Sequence, residues 1–208
     1  MERRDKVQWI YSSRDNNELS ERYDQWAKDY DADLNEEFGW LGPQWAVDFF
    51  VHYVPKEARI LDAGAGTGLV GRLLAEQGYG NLVAMDLSQG MLDEAKKKNA
   101  YTEFHRMVMG ESLNFATGSF DAVISIGVLT VGHAPASSFD ELIRVTRSGG
   151  YIVFSLRPDV YRESGFKEKQ EALVAEGKWR FTEMSQEFQP LPKGEPEVYH
   201  QVWVYQVM

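Results

Sequence analysis

The chain has no cysteine among its 208 residues. Disulfides, thiolate nucleophiles and cysteine-ligated zinc or iron–sulfur sites are therefore excluded, and a reducing compartment is permitted. Positive charge is scarce: 22 Lys and Arg against 32 Asp and Glu leave a net charge of -10. A surface that binds a nucleic-acid backbone needs clustered Lys and Arg, so no nucleic-acid partner is expected, and the balance points to a small-molecule or basic-protein substrate. Long apolar runs are missing too. None approaches the roughly 20 residues of a membrane-spanning helix, so no membrane partner is expected. The opening M-E-R-R-D-K-V has charges with no apolar stretch behind them, so no signal peptide is expected and the cytoplasm is the expected location. There is no G-x-x-x-x-G-K-[ST], which leaves phosphoryl transfer without its loop.

What is present suits one well-cored domain, with 43% hydrophobic and 13% aromatic residues and no internal repeat. The organising stretch is Arg59 to Gly71, R-I-L-D-A-G-A-G-T-G-L-V-G. Ile60 and Leu61 read as the end of a buried strand, Asp62 stands at its carboxyl end, and Gly64, Gly66 and Gly68 open a helix. Glycine lets the chain turn sharply and a ligand approach closely, and free amides at a helix start favour a carboxylate or phosphate. Two cofactor classes compete. Gly66, Gly68 and Gly71 satisfy G-x-G-x-x-G, the dinucleotide fingerprint, with Asp86 at a tolerable distance for the ribose acid. The frame from Asp62 reads D-x-G-x-G-x-G instead. An acid ahead of the glycines repels a pyrophosphate and suits the ammonium of a methionine moiety.

Along the chain, residues 1–20 are polar and expected to form a loose arm. From about Leu19 a helix follows, with Tyr23, Trp26, Ala27 and Tyr30 on one face; this aromatic stripe is either core or the underside of a lid over the cofactor. Asp33 to Gly42 reads as a loop and Gln44 to Tyr53 as a covering helix, so residues 21–55 form a helical lid and cover on a single domain spanning 21–208. Strands are expected at Arg59–Asp62, Leu82–Asp86, Phe104–Met109, Ala122–Ile126 and Tyr151–Ser155, alternating with helices from Leu69, Ser88 and Ser138, the last opened by the capping box Ser138-x-x-Glu141. Arg162 to Gly177 reads as one helix. Two β segments, near Trp179–Phe188 and Val198–Val207, then form a terminal antiparallel hairpin. The whole is an α/β, Rossmann-like, doubly wound sheet with helices on both faces.

Several residues carry candidate chemistry. Asp86, 24 residues after Asp62, can accept both ribose hydroxyls, or it is a loop acid or helix cap. Met91 packs either in the core or on the adenine face. Ser125, Ile126 and Gly127 close strand four beside the glycines and should line the methionine end. His133 is the candidate general base, or a surface loop histidine; no other catalytic residue is identified. Arg157 either binds an anionic acceptor or is a solvated loop residue.

Asp62-x-Gly64-x-Gly66-x-Gly68, Asp86, F-D-A-V at 120–123 and R-S-G-G at 147–150 together resemble the class I S-adenosylmethionine (SAM) methyltransferases. More narrowly, Y-D-x-W-A-x-D-Y-D, G-T-G-L-V, S-x-G-M-L and the final V-W-V-Y-Q-V resemble the methyltransferase-like family of the Williams–Beuren syndrome region. The resemblance implies a seven-stranded sheet, SAM as cofactor and S-adenosylhomocysteine (SAH) as product. It implies contacts from Tyr23, Trp26 and Tyr30, from Asp62, Ala63, Gly64, Ala65, Gly66 and Gly68, and from Asp86, Leu87, Met91 and Ile126. The acid that usually meets the adenine amino group falls on Met109, which cannot do this. Glu111, or the backbone around Gly110 and Glu111, is expected to substitute. No metal is implied. A SAM-binding module without transferase activity would keep every one of these motifs, and a nicotinamide oxidoreductase would account for the glycines but not for Asp62.

Overall fold

The computed structural model describes residues 5–208. The pattern of apolar runs ending in an acid becomes a seven-stranded sheet in the order β3-β2-β1-β4-β5-β7-β6. Five strands are parallel: β1 (Ile60–Ala63), β2 (Leu82–Asp86), β3 (Glu103–Arg106), β4 (Phe120–Ser125) and β5 (Thr146–Leu156). The last two, β6 (Trp179–Met184) and β7 (Gln201–Val207), pair antiparallel, and β7 inserts between β5 and β6. The chain winds outward from β1 to one edge, then returns to β4 and winds to the other. The crevice at the carboxyl ends of β1 and β4 is the place such sheets leave open for a ligand.

Successive residues of each central strand face opposite sides, so the sheet feeds two cores. Ile60, Leu82, Ala122 and Ile124 pack beneath α3 (Gly42–Phe50), α4 (Leu69–Glu76) and α5 (Gln89–Lys97). Leu61, Val83, Val123 and Ile152 pack beneath α6 (Ser138–Val145), α7 (Pro158–Glu163) and α8 (Phe166–Ala175). A third, smaller core joins α1 (Asp5–Tyr11) and α2 (Asn16–Asp33) through Val7, Ile10, Leu19 and Trp26 to Leu34, Phe38 and Leu191.

Four expectations are corrected here. The described part of the N-terminal segment is not a loose arm: α1 buries Ile10, and Arg22 closes the α1–α2 corner by donating to the Ser12 hydroxyl at 2.8 Å. The loop after α2 begins with a π-helical turn, Leu34–Phe38, which ends at Gly39 in the left-handed conformation. The capping box does not form. Glu141 instead accepts from the Leu113 amide at 2.7 Å and pairs with Arg144, and the buried Ser138 hydroxyl has no partner. The expected helix from Arg162 is two helices, broken at Gly165, whose φ of +77° an L side chain resists. Among the described residues, no helix is long and apolar enough to cross a membrane.

Candidate active site

The carboxyl ends of β1, β2 and β4 and the inner face of α2 enclose a cleft with about 880 Å³ of space free of protein atoms, its mouth included. Its floor is the turn after β1. Gly64 and Gly66 adopt φ of +84° and +53°, and a Cβ on Gly64 would come within 2.3 Å of Val128. At Gly66 nothing lies within 4 Å of that position, so the backbone there is open to the cleft. Asp86, at the end of β2, is 7% exposed and lines the same space. Its Oδ2 accepts from the Gly66 amide at 2.8 Å and its Oδ1 from the Ser88 amide at 2.9 Å. Burial raises its pKa to about 6 against these stabilising bonds.

Of the residues expected at the cofactor, the structure gathers Tyr23, Tyr30, Gly64, Ala65, Gly66, Asp86, Leu87, Met91 and Ile126 on this cleft, with His133 beside them. Others lie elsewhere. Asp62 is buried behind the cleft wall, where the Tyr101 hydroxyl donates to its Oδ2 at 2.6 Å and its Oδ1 has no partner. Burial raises its pKa to about 7. Ala63 is fully buried and offers its carbonyl to the Ser125 hydroxyl at 2.7 Å. Gly68, at φ +86°, starts α4 and packs under Tyr101 rather than on the cleft. Trp26 turns away into the third core and donates to Asp33 at 2.8 Å. Gly110 and Glu111 are exposed outside the cleft because β3 stops at Arg106; the Glu111 amide is occupied by the Val108 carbonyl at 3.3 Å. Met107, Val108 and Met109 line the cleft in their place, an apolar slot rather than an acidic one.

Tyr101 also explains the false fingerprint. A Cβ on Gly71 would lie 2.1 Å from its ring, and the Gly71 amide donates to its hydroxyl at 3.0 Å. The third glycine of G-x-G-x-x-G therefore makes room for a tyrosine.

A set of clamps that the sequence does not reveal holds α2 in place. Asp31 on α2 accepts from the Thr67 hydroxyl and from Lys98 at 2.7 Å, and Lys98 also donates to the Thr67 carbonyl at 2.6 Å. Ser20 donates to the Leu87 carbonyl at 3.1 Å. These bonds tie α2 to the loops after β1 and β2. The signal that could have revealed them is the spacing of Asp24 and Asp31, two helical turns apart beside the aromatic stripe.

A second cavity, with about 700 Å³ of free space, adjoins the first and shares Tyr23, Tyr30, Trp40 and His133 with it. Tyr23 and His133 meet through Oη and Nε2 at 2.9 Å. Arg157 lies on this second cavity, paired in two-pronged fashion with Asp159 at 3.0 and 2.6 Å.

With that geometry in place, residues 61–154 match the methyltransferase domain family. The chain carries a class I SAM-dependent methyltransferase domain, and SAM is the cofactor of that family. It is 37% identical over 139 residues to methyltransferase-like protein 27 of Homo sapiens, covering 65% of this chain and 56% of that one. It is 32% identical over 154 residues to a malonyl-[acyl-carrier protein] O-methyltransferase of Legionella pneumophila, covering 71% and 53%. The chain thus spans about half the length of the curated relatives it matches. The printed names of other relatives run from demethylmenaquinone to 18S rRNA guanine methyltransferases. Among solved structures, the [4+2]-cyclase SpnF superposes with a TM-score of 0.70 at 14% identity, covering 92% of this chain and 96% of that one. At that identity the likeness is of fold alone, and a cyclase on this fold shows that fold does not dictate chemistry.

Proposed function

We propose that the chain binds SAM in the first cleft and passes its methyl group to a small-molecule acceptor, releasing SAH. The observation that carries this reading is Asp86. Its carboxylate accepts from the Gly66 and Ser88 amides and lines the cleft beside an unobstructed Gly66. A vicinal diol fits that carboxylate, and a flat heterocycle fits the slot of Met91, Met107 and Met109.

When bound, the sulfonium of SAM supplies a methyl group already activated for displacement. The work left to the chain is positioning, exclusion of water and removal of a proton. Tyr23 and Tyr30 cover the cleft from α2, and Ile126 and Gly127 form the wall at the end of β4. The test is incubation of the full chain with methyl-labelled SAM and a cell extract separated by size. Label in the small-molecule fraction, lost on Asp86→Ala, is expected. Label confined to RNA or protein overturns the acceptor class, and SAH binding without any turnover favours a SAM-binding module that transfers nothing.

A further inference from the structure

The second cavity is walled by α1, α2, the loop after β4 and the connection between β6 and β7, and it meets the first cleft where Tyr23 and His133 line both. We infer that this cavity is the acceptor chamber, that it takes an uncharged, ring-sized molecule bearing a hydroxyl, and that His133 receives the proton of that hydroxyl. The inference rests on the methyl-transfer reading above.

The lining argues for the occupant. Ile10, Leu129, Leu191, Trp26 and Trp40 supply apolar and aromatic walls, the usual surroundings of a small ligand. Charge narrows the class. Among the described residues the one cation on the wall is Arg157, already paired with Asp159, and Glu195 opens onto the same space. An anionic acceptor would meet two acids for one guanidinium, and a cationic acceptor would be buried beside that guanidinium, whose charge already acts on Glu195. Both charged forms lose water without gaining a free partner.

The groups facing His133 are neutral. Tyr11 on α1 stands edge-on at 5.3 Å between ring centres and Tyr23 on α2 at 5.8 Å, and burial raises the pKa of both phenols. Burial lowers the pKa of His133, and lowers His200 across the cavity to about 4. His133 therefore stands uncharged near neutral pH, with one nitrogen lone pair to offer. Its Nδ1 is buried without a hydrogen-bond partner, and Tyr23 holds the ring at Nε2. In the tautomer whose Nε2–H donates to the Tyr23 oxygen, the Nδ1 lone pair is the one left to take the acceptor's proton. In the reaction an oxygen lone pair of the acceptor forms the new O–CH₃ bond. The C–S bond breaks with its electron pair kept by sulfur, and the hydroxyl proton passes to the imidazole, which later returns it to water. The products are a methyl ether and SAH.

The test uses the full chain loaded with SAH and the probe 2-naphthol, with 2-naphthoate and 2-(aminomethyl)naphthalene as charged counterparts. Calorimetry should show naphthol binding, with both charged probes at least about tenfold weaker. Val198→Trp, which fills the cavity from its loop, should weaken naphthol by a similar factor and leave SAH affinity unchanged. With SAM, 2-naphthol should yield its methyl ether. His133→Gln should lower kcat on the order of 10²-fold or more with little change in KM, and remove the acid limb of the pH profile. Equal binding of the charged probes, or naphthol binding indifferent to Val198→Trp, overturns the chamber and its class. Bound naphthol that is never methylated overturns the hydroxyl acceptor, and an unchanged kcat in a cooperatively melting His133→Gln overturns the base. Failure of SAH itself to bind would instead refute the methyl-transfer reading.

Discussion

The carboxylate of Asp24 lies 2.8 Å from the Gly90 amide nitrogen and 2.5 Å from the Ser88 hydroxyl, so a side chain of α2 caps the first turn of α5. Gly90 permits this approach: a Cβ there would sit 2.9 Å from the Asp24 backbone. Two turns on, Asp31 grips Thr67 and Lys98. The helix over the cleft is therefore held by an acidic stripe as well as by its aromatic face. An α2 held by one face between loose connections is expected to be poorly protected without ligand; the double attachment reverses that expectation for the native chain.

Amides of residues 20–32 should accordingly resist hydrogen exchange with and without SAH in the native chain. The double variant Asp24→Ala with Asp31→Ala should make that protection depend on SAH. Asp24 is exposed, so its share as a helix cap is about 0.5–1 kcal/mol. Equal, weak protection in both proteins would mean that the two carboxylates do not hold the helix.

Asp86→Ala should weaken SAH binding by about 1.5–3 kcal/mol for each charged hydrogen bond lost, or about 10- to 150-fold, measured by calorimetry. It also strands the Gly66 and Ser88 amides, so some loss of Tm is expected alongside. Native affinity in a folded variant would remove Asp86 from the ligand.

Tyr101→Phe should destabilise the chain by about 1–3 kcal/mol in urea unfolding, because a buried carboxylate and the Gly71 amide lose their shared hydroxyl. Gly71→Ala should cost at least as much, since the ring cannot retreat from a core position. Wild-type stability in both variants would contradict the packing role assigned to the third glycine.

Much of the fold can be read in the chain. Apolar runs ending in Asp62 and Asp86, alternating with helices opened by Gly68 and Ser88, leave few arrangements other than a parallel-rich sheet with its crevice between β1 and β4. The site was less legible, for identifiable reasons. Asp24 and Asp31 are not singled out by the sequence because their partners are 64 and 67 residues away in Ser88 and Lys98. Trp26 shares a stripe with Tyr23 and Tyr30, but only the structure shows which side of α2 meets the cleft. The placement at Gly110 and Glu111 failed because β3 ends three residues earlier than its apolar pattern suggests, which brings Met109 inward.

Binding of SAH should depend on pH through Asp86. Its ligand-free pKa stands near 6, raised by burial, and hydroxyls donating to the ionised form would lower it in the complex. Affinity should therefore be fully present above pH 6 and fall by up to about tenfold per unit as pH drops through that value, while Asp86→Asn should show a flat profile. An affinity in the native chain that is constant from acid to neutral pH would mean that the carboxylate does not meet the ligand.

The most direct test of the central claim, that the cleft between Gly66 and Asp86 is built for the nucleoside of SAM, is calorimetric titration of the full chain at neutral pH with SAH and, separately, with NAD. The expected result is one-to-one binding of SAH in the micromolar range or tighter and no heat from NAD. Micromolar binding of NAD with none of SAH would contradict the account.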